Sequence, residues 1–307
     1  MDRKPARRAA PDRLRAAVLG IPPRSRGEVI RVALLVTMSG LGVAMVLWLF
    51  WLGSQAGGSG FDALCYWSVN PSNPYGGEYG GVNFAYAPPV ALAFLPVHLL
   101  SFDVFRAVWL ASQVAALVWL GRRYALALLL FLPVSVELYN GNIHLLLGVA
   151  IVIGFRYSAT WSLLLLTKVT PGVVLLWFVV RREWRNLAIA LGATTAISAA
   201  SLIIAPEMWW QWLGFLTSTP MANIRVFHFG AQLPIRLIMA AAIVIYGART
   251  NRRWTVPVAA VISLPVIWFN GLALLAAIVP LWKGDMAFQR RTKSAESEPA
   301  GLVASAV

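Results

Sequence analysis

The sequence predicts an all-α polytopic membrane protein, a bundle of about ten transmembrane helices with a functional first outer loop. Three observations carry that prediction. The 307 residues are 59% apolar and only 12% charged, whereas a soluble domain carries about 25% charged residues. Several apolar runs approach the roughly 20 residues needed to cross a bilayer. The basic residues form clusters that abut apolar segments, the pattern of cytosolic anchoring beside anionic lipid.

The clusters are Arg3, Lys4, Arg7, Arg8, Arg13 and Arg15, then Arg181–Arg185, Arg249–Arg253 and Lys283–Lys293. They assign the net charge of +14 to a membrane surface and not to nucleic acid. Only four of the 26 basic residues are lysine. With abundant alanine, this points to a GC-rich bacterial gene and a bacterial plasma membrane. Residues 1–27 are rich in Arg and Pro and lack a small-residue cleavage site, so they read as a cytosolic tail and not as a signal peptide. Cys65 is the single cysteine, which excludes an intramolecular disulfide and a cysteine-based metal cluster.

The chain divides into a basic cytosolic tail (1–28), one membrane domain (29–283) with outer loops at 54–86 and 205–231, and a polar C-terminal tail (284–307) read as disordered. The apolar segments fall at about 29–52, 87–100, 104–120, 124–138, 142–155, 158–168, 171–180, 187–205, 232–248, 255–269 and 271–282. If all of them cross, Arg122–Arg123, Arg181–Arg185 and Arg249–Arg253 fall outside. If segment 87–100 does not cross, these clusters and both termini are cytosolic. That segment opens with Pro88-Pro89, contains Pro96 and ends at His98. It therefore reads as a re-entrant or surface helix on the outer face.

This topology sorts the polar residues. Asp62 and Glu78 are the acids of the first outer loop, which also holds Tyr66, Trp67, Tyr75, Tyr79, Phe84 and Tyr86. So aromatic a loop packs at the interface. A carboxylate held there is either a solvated loop residue or a general base. Arg106, Lys168, Arg225 and Arg236 are basic residues on the outer side, against the charge bias, and are the candidates for binding a phosphate. Lys168 lies in an apolar run three residues before Pro171. It is either a snorkelling lysine or a cation facing a polar cavity. Tyr66, Tyr86, Asn140, Asn142 and His228 are the candidate substrate contacts. Asn140-Gly141-Asn142 also suits an ordinary tight turn. The scattered His98, His144 and His228 do not form a metal site, no D-x-D is present, and no cofactor is expected.

The order of five motifs resembles the bacterial polyprenol-phosphate-mannose-dependent mannosyltransferases of glycosyltransferase family 87, in the GT-C superfamily. The motifs are Phe61-Asp62, Tyr86-Ala87-Pro88-Pro89, Asn140-Gly141-Asn142, Lys168-Val169-Thr170-Pro171 and Arg181-Arg182-Glu183-Trp184-Arg185. Members usually carry Gly-Gln where this chain has Gly141-Asn142. The resemblance implies a GT-C-like bundle with Asp62 as the base on the acceptor hydroxyl. It implies a polyprenyl-phosphate sugar donor steadied by Lys168 and a nearby arginine, a lipid or glycan acceptor, inversion at the anomeric centre, and no need for metal. The alternatives are a transporter or flippase of a lipid-linked substrate, to which a Pro-broken helix with an embedded lysine also points, and a non-catalytic assembly subunit.

Topology is directly testable. A reporter fused at the C-terminus and one near residue 122 are both expected to report cytosol, and one near residue 70 the outer side. An outer-side signal at 122 would mean that segment 87–100 crosses.

Overall fold

The structure is a computed structural model that describes residues 25–55, 58–76, 84–218, 232–282 and 284. All regular elements among them are helices. Four are long and apolar enough to cross a membrane: α1 (Arg26–Gln55), α4 (Phe102–Gly121, extended to Tyr124 by a 3-10 turn), α9 (Trp184–Ile204) and α11 (Leu233–Thr250). A fifth crossing is available if α5 (Leu132–Asn140) and α6 (His144–Gly154), bent by 112° at their junction, count as one broken span. Among the described residues the ten expected spans are therefore not all present as continuous helices of that length.

The remaining apolar segments are helical but short. They include α2 (Phe61–Trp67), α3 (Pro88–Phe94), α7 (Trp161–Thr167), α8 (Leu176–Val180), α10 (Pro206–Ser218) and α12 (Thr255–Ile262). The α3 helix has 7 residues and the 3-10 helix after it, Leu95–Leu99, has 5. Together they rise about 18 Å or a little more at roughly 1.5–2 Å per residue, short of a hydrocarbon core of about 30 Å. The segments are cut where the backbone leaves the helical conformation. Gly141 ends α5 at φ 74°, Lys168 ends α7 with extended backbone, and Ser263-Leu264-Pro265 follows α12.

The long helices face outward, as lipid-exposed spans must. Along the 30 residues of α1 only Gly42 and Gly53 are buried. They lie 11 positions apart, close to three full turns, so one narrow stripe meets the rest of the protein. A Cβ at Gly42 would strike the Leu126 carbonyl and the Leu129 side chain, and one at Gly53 would overlap the Tyr139 ring. The α4 helix starts at Ser101, whose hydroxyl accepts from the Val104 N–H at 3.4 Å, a side-chain N-cap.

Three clusters make the core. One surrounds Trp161, Trp177 and Phe178, a second surrounds Leu120, Leu129 and Leu145, and the third is the first outer loop itself. In that loop Tyr66, Tyr75, Phe84, Tyr86, Phe94 and Phe105 are all buried. Tyr66 stacks on Phe94 with ring centroids 5.0 Å apart. The α10 helix packs on it through Trp212, whose indole donates to the Ala85 carbonyl at 3.2 Å, and through Phe215. The described part of the loop is a packed aromatic layer from which α2 projects.

Gly53 and Gly40 offer a matched test of how α1 docks, because a Cβ at Gly40 meets nothing. Gly53→Leu is expected to cost about 1–3 kcal/mol by overpacking and to lower the unfolding temperature in detergent. Gly40→Leu should leave that temperature unchanged.

Candidate active site

Three helix breaks converge on α2. The first is Gly141–Ile143, between α5 and α6. Its backbone is held from α4, where the Trp109 indole donates to the Gly141 carbonyl at 2.7 Å and the Gln113 amide donates to the Asn142 carbonyl. The second is Lys168–Val169, between α7 and the 3-10 helix Thr170–Leu175. The loop docks beside it, with the Ala87 N–H donating to the Leu166 carbonyl at 3.1 Å. The third is 263–268, between α12 and the 3-10 helix Phe269–Ala277. Breaks leave backbone polar groups free and admit polar side chains, so they are tolerated where protein or a water-filled recess receives them.

Asp62, in the first turn of α2, is half-buried where the breaks meet. Asn142 from the first break hydrogen-bonds its carboxyl, and the charges of Glu137, His144 and Lys168 act on it. From the third break the Asn270 amide reaches Asp62 Oδ2 at 3.5 Å. On the same face of α2, the Tyr66 hydroxyl lies 2.9 Å from the Tyr86 hydroxyl and donates to Asn142 Oδ1 at 3.2 Å. The Lys168 ammonium stands over the Tyr86 ring, 5.4 Å from its centroid. Asp62, Tyr66, Tyr86, Asn142 and Lys168, which the sequence singled out separately, thus form one recess.

Burial pushes the Asp62 carboxyl above the usual carboxylate range. The Asn142 hydrogen bond and the cationic groups oppose that push, and the Glu137 charge adds to it. Burial also holds the Tyr66 and Tyr86 phenols above their ordinary range, and the Cys65 thiol is pushed up to about 12. In the recess the carboxylate is the basic group, and the thiol is not a nucleophile near neutral pH. Among the described residues no three His, Cys, Asp or Glu side chains converge as a metal set.

Other candidates lie elsewhere. Arg236 donates to the carbonyls of Ile262, Leu264 and Pro265 at 3.2, 2.7 and 2.9 Å. It satisfies the backbone that the third break frees, and those donors are not turned to a phosphate. Arg106 pairs with Asp103 at 3.3 Å and reaches the Ser59 carbonyl at 3.4 Å. It lines a separate cavity of about 220 Å³ with Phe50, Ala63, Trp109 and Tyr139. Neither Asp62 nor Lys168 lines that cavity, and the Asp103 carboxylate offsets its one cation. Asn140 ends α5, and its neighbour Asn142 makes the contact with Asp62. Arg225, His228 and Glu78 lie outside the described residues.

Sequence reading missed Glu137 and Asn270, and saw His144 only as a scattered histidine. Glu137 and His144 are buried, with Glu137 Oε2 3.1 Å from His144 Nδ1 and 3.0 Å from the Asn270 amide. An ionisable residue inside an apolar segment is a functional candidate by default. That signal, which picked out Lys168, applies equally to Glu137.

The model of glycosyltransferase family 87 matches residues 84–301. The chain belongs to glycosyltransferase family 87. It is therefore a membrane glycosyltransferase, and a sugar donor and an acceptor follow from that membership. No curated protein and no solved structure matches it. The match takes in Glu137, His144, Lys168 and Asn270 and begins after Asp62. Asp62 precedes the matched residues and is tied to them through Asn142 and Asn270 by the geometry of the recess.

That geometry makes a prediction about Lys168. Lys168→Met keeps bulk but removes a cation that opposes protonation of Asp62. Transfer is expected to fall by about 10²–10³-fold, the worth of one group stabilising developing charge, and the acid limb of the rate should move to higher pH. Lys168→Arg should keep part of the activity. Full activity with an unmoved limb in the methionine variant would make Lys168 a snorkelling residue.

Proposed function

We propose that this family 87 enzyme transfers a sugar, mannose by the resemblance of its motifs, from a polyprenyl-phosphate donor to a hydroxyl of a lipid or glycan acceptor. Transfer takes place on the outer face of a bacterial plasma membrane, with both termini cytosolic, and inverts the anomeric centre. One observation carries the reading. A half-buried carboxylate, Asp62, and an ammonium group, Lys168, share one recess with the Tyr66 and Tyr86 hydroxyls and the Asn142 and Asn270 amides, and the buried Glu137–His144 pair acts on it from behind.

The chemistry needs those two charges. As the acceptor oxygen bonds to the anomeric carbon, its proton passes to Asp62, and the bond from that carbon to the phosphate oxygen breaks. The polyprenyl phosphate leaves with the bonding pair, and Lys168 stabilises its charge. A base on one side of the sugar and a cation on the other suit a single in-line displacement, which inverts. The tyrosines and amides offer hydrogen bonds to sugar hydroxyls. The family membership favours this reading over transport of a lipid-linked substrate.

The test is Asp62→Asn, which keeps size and hydrogen bonding but removes the base. Transfer from a polyprenyl-phosphate mannose to a mannoside acceptor is expected to drop by about 10²–10⁴-fold, with donor binding retained. Glu78→Gln removes the loop's other acid and should change little. In the parent the acid limb should lie above the range of an exposed aspartate. The raised Asp62 pKa means that the basic form is populated only above it and is lost as pH falls through it. Wild-type activity in Asp62→Asn beside an inactive Glu78→Gln would assign the base to the other acid.

A further inference from the structure

Glu137 makes more contacts than its own burial requires. It has no exposed surface and sits in the apolar α5, where a charge is costly unless paired. His144 already pairs with it twice, through its backbone N–H to Oε1 and through Nδ1 to Oε2 at 3.1 Å. Yet Oε2 also accepts from the Asn270 amide at 3.0 Å, and the same amide nitrogen points to Asp62 Oδ2 at 3.5 Å. Both oxygens facing that amide belong to carboxylates. An amide between them presents its nitrogen, with one hydrogen for each, because its carbonyl end would set lone pairs against lone pairs.

Asn142 is fixed in a similar way. Its Oδ1 is taken by the Tyr66 hydroxyl at 3.2 Å and the Ile143 N–H at 2.7 Å, which leaves its nitrogen for Asp62. Two amides, each held by partners other than Asp62, thus turn N–H groups to one carboxylate. The lock on Asn142 serves the first break. The lock on Asn270 joins the 3-10 helix Phe269–Ala277 to α5, two elements that pack against each other, and it carries the same amide on to Asp62.

We propose that Glu137, clamped by His144, is a positioning residue that holds the Asn270 amide with its N–H on Asp62 and so keeps that carboxylate oriented for the acceptor hydroxyl. The proposal rests on the reading of Asp62 as the base. The titratable groups facing Asp62 are Glu137 from α5, His144 from α6, Lys168 from the second break, Tyr86 from the loop, and Cys65 and Tyr66 from its own helix. The test must separate the amide lock from the charge of Glu137, which by itself raises the Asp62 pKa. Two variants leave the formal charge unchanged. Asn270→Ala deletes the N–H, and Glu137→Asp shortens the lock by one methylene.

The measurement is an infrared titration of the purified protein in lipid nanodiscs, without substrate. The protonated-carboxyl band that is absent from Asp62→Asn identifies Asp62. Losing this long contact to the ionised form should move the Asp62 midpoint up by as much as about one pH unit in Asn270→Ala. Glu137→Asp should move it in the same direction, and the double variant no further than Asn270→Ala alone. An unmoved midpoint in either single variant, or shifts that add in the double variant, would overturn the proposal and leave the network a packing feature. If Asn270→Ala does not accumulate, Asn270→Ser replaces it, since its shorter hydroxyl cannot bridge both acids. The base reading fails separately, if Asp62→Asn transfers sugar as fast as the parent whatever the midpoints do.

Discussion

The structure depends on one constraint: polar groups enter an apolar helical protein only where they find partners, and helix breaks supply many of those partners. A continuous helix satisfies its own backbone and offers lipid an apolar wall. Each break leaves carbonyls and N–H groups to be received, and it turns polar side chains inward. Here the breaks at Gly141–Ile143, Lys168–Val169 and 263–268 all come to α2. Asp62, Lys168, Asn142 and Asn270 can then sit together although they come from four separate stretches of chain. The long helices α1, α4, α9 and α11 remain unbroken and outside.

The electrostatics of the recess follow from that assembly. Burial pushes the Asp62 carboxyl up and so works against its ionised, basic form. The Asn142 amide and the nearby cations work against burial, and Lys168 is one of them. The same ammonium group that would receive a leaving phosphate therefore also favours the ionised base. The tyrosines between them stay neutral and can hydrogen-bond a sugar without competing for the proton.

The candidate phosphate-binding cations among the described residues divide by what the backbone around them needs. Arg236 is drawn to three carbonyls that the break after α12 leaves open, and Arg106 is met by Asp103. Lys168 has no such claim on it, and it rests against the Tyr86 ring beside Asp62. A count of basic residues on the outer side treats the three alike. Their hydrogen bonds do not.

The sequence by itself determined the helical membrane class, the basic clusters, the packed aromatic loop and the recess residues Asp62, Tyr66, Tyr86, Asn142 and Lys168 as candidates. These were legible because hydropathy, charge and helix-breaking residues are local properties of the chain. It over-counted the spans, because an apolar run of 10–15 residues looks alike whether it crosses or folds back. Only tertiary structure decided that, because the outcome depends on which breaks find partners. Tertiary structure alone also brought Asn270 within reach of Asp62, 208 positions away, and tied it to Glu137, 133 positions away. Such pairings leave no periodic trace in a sequence, since each side chain is chosen by a partner that only the packed breaks bring near.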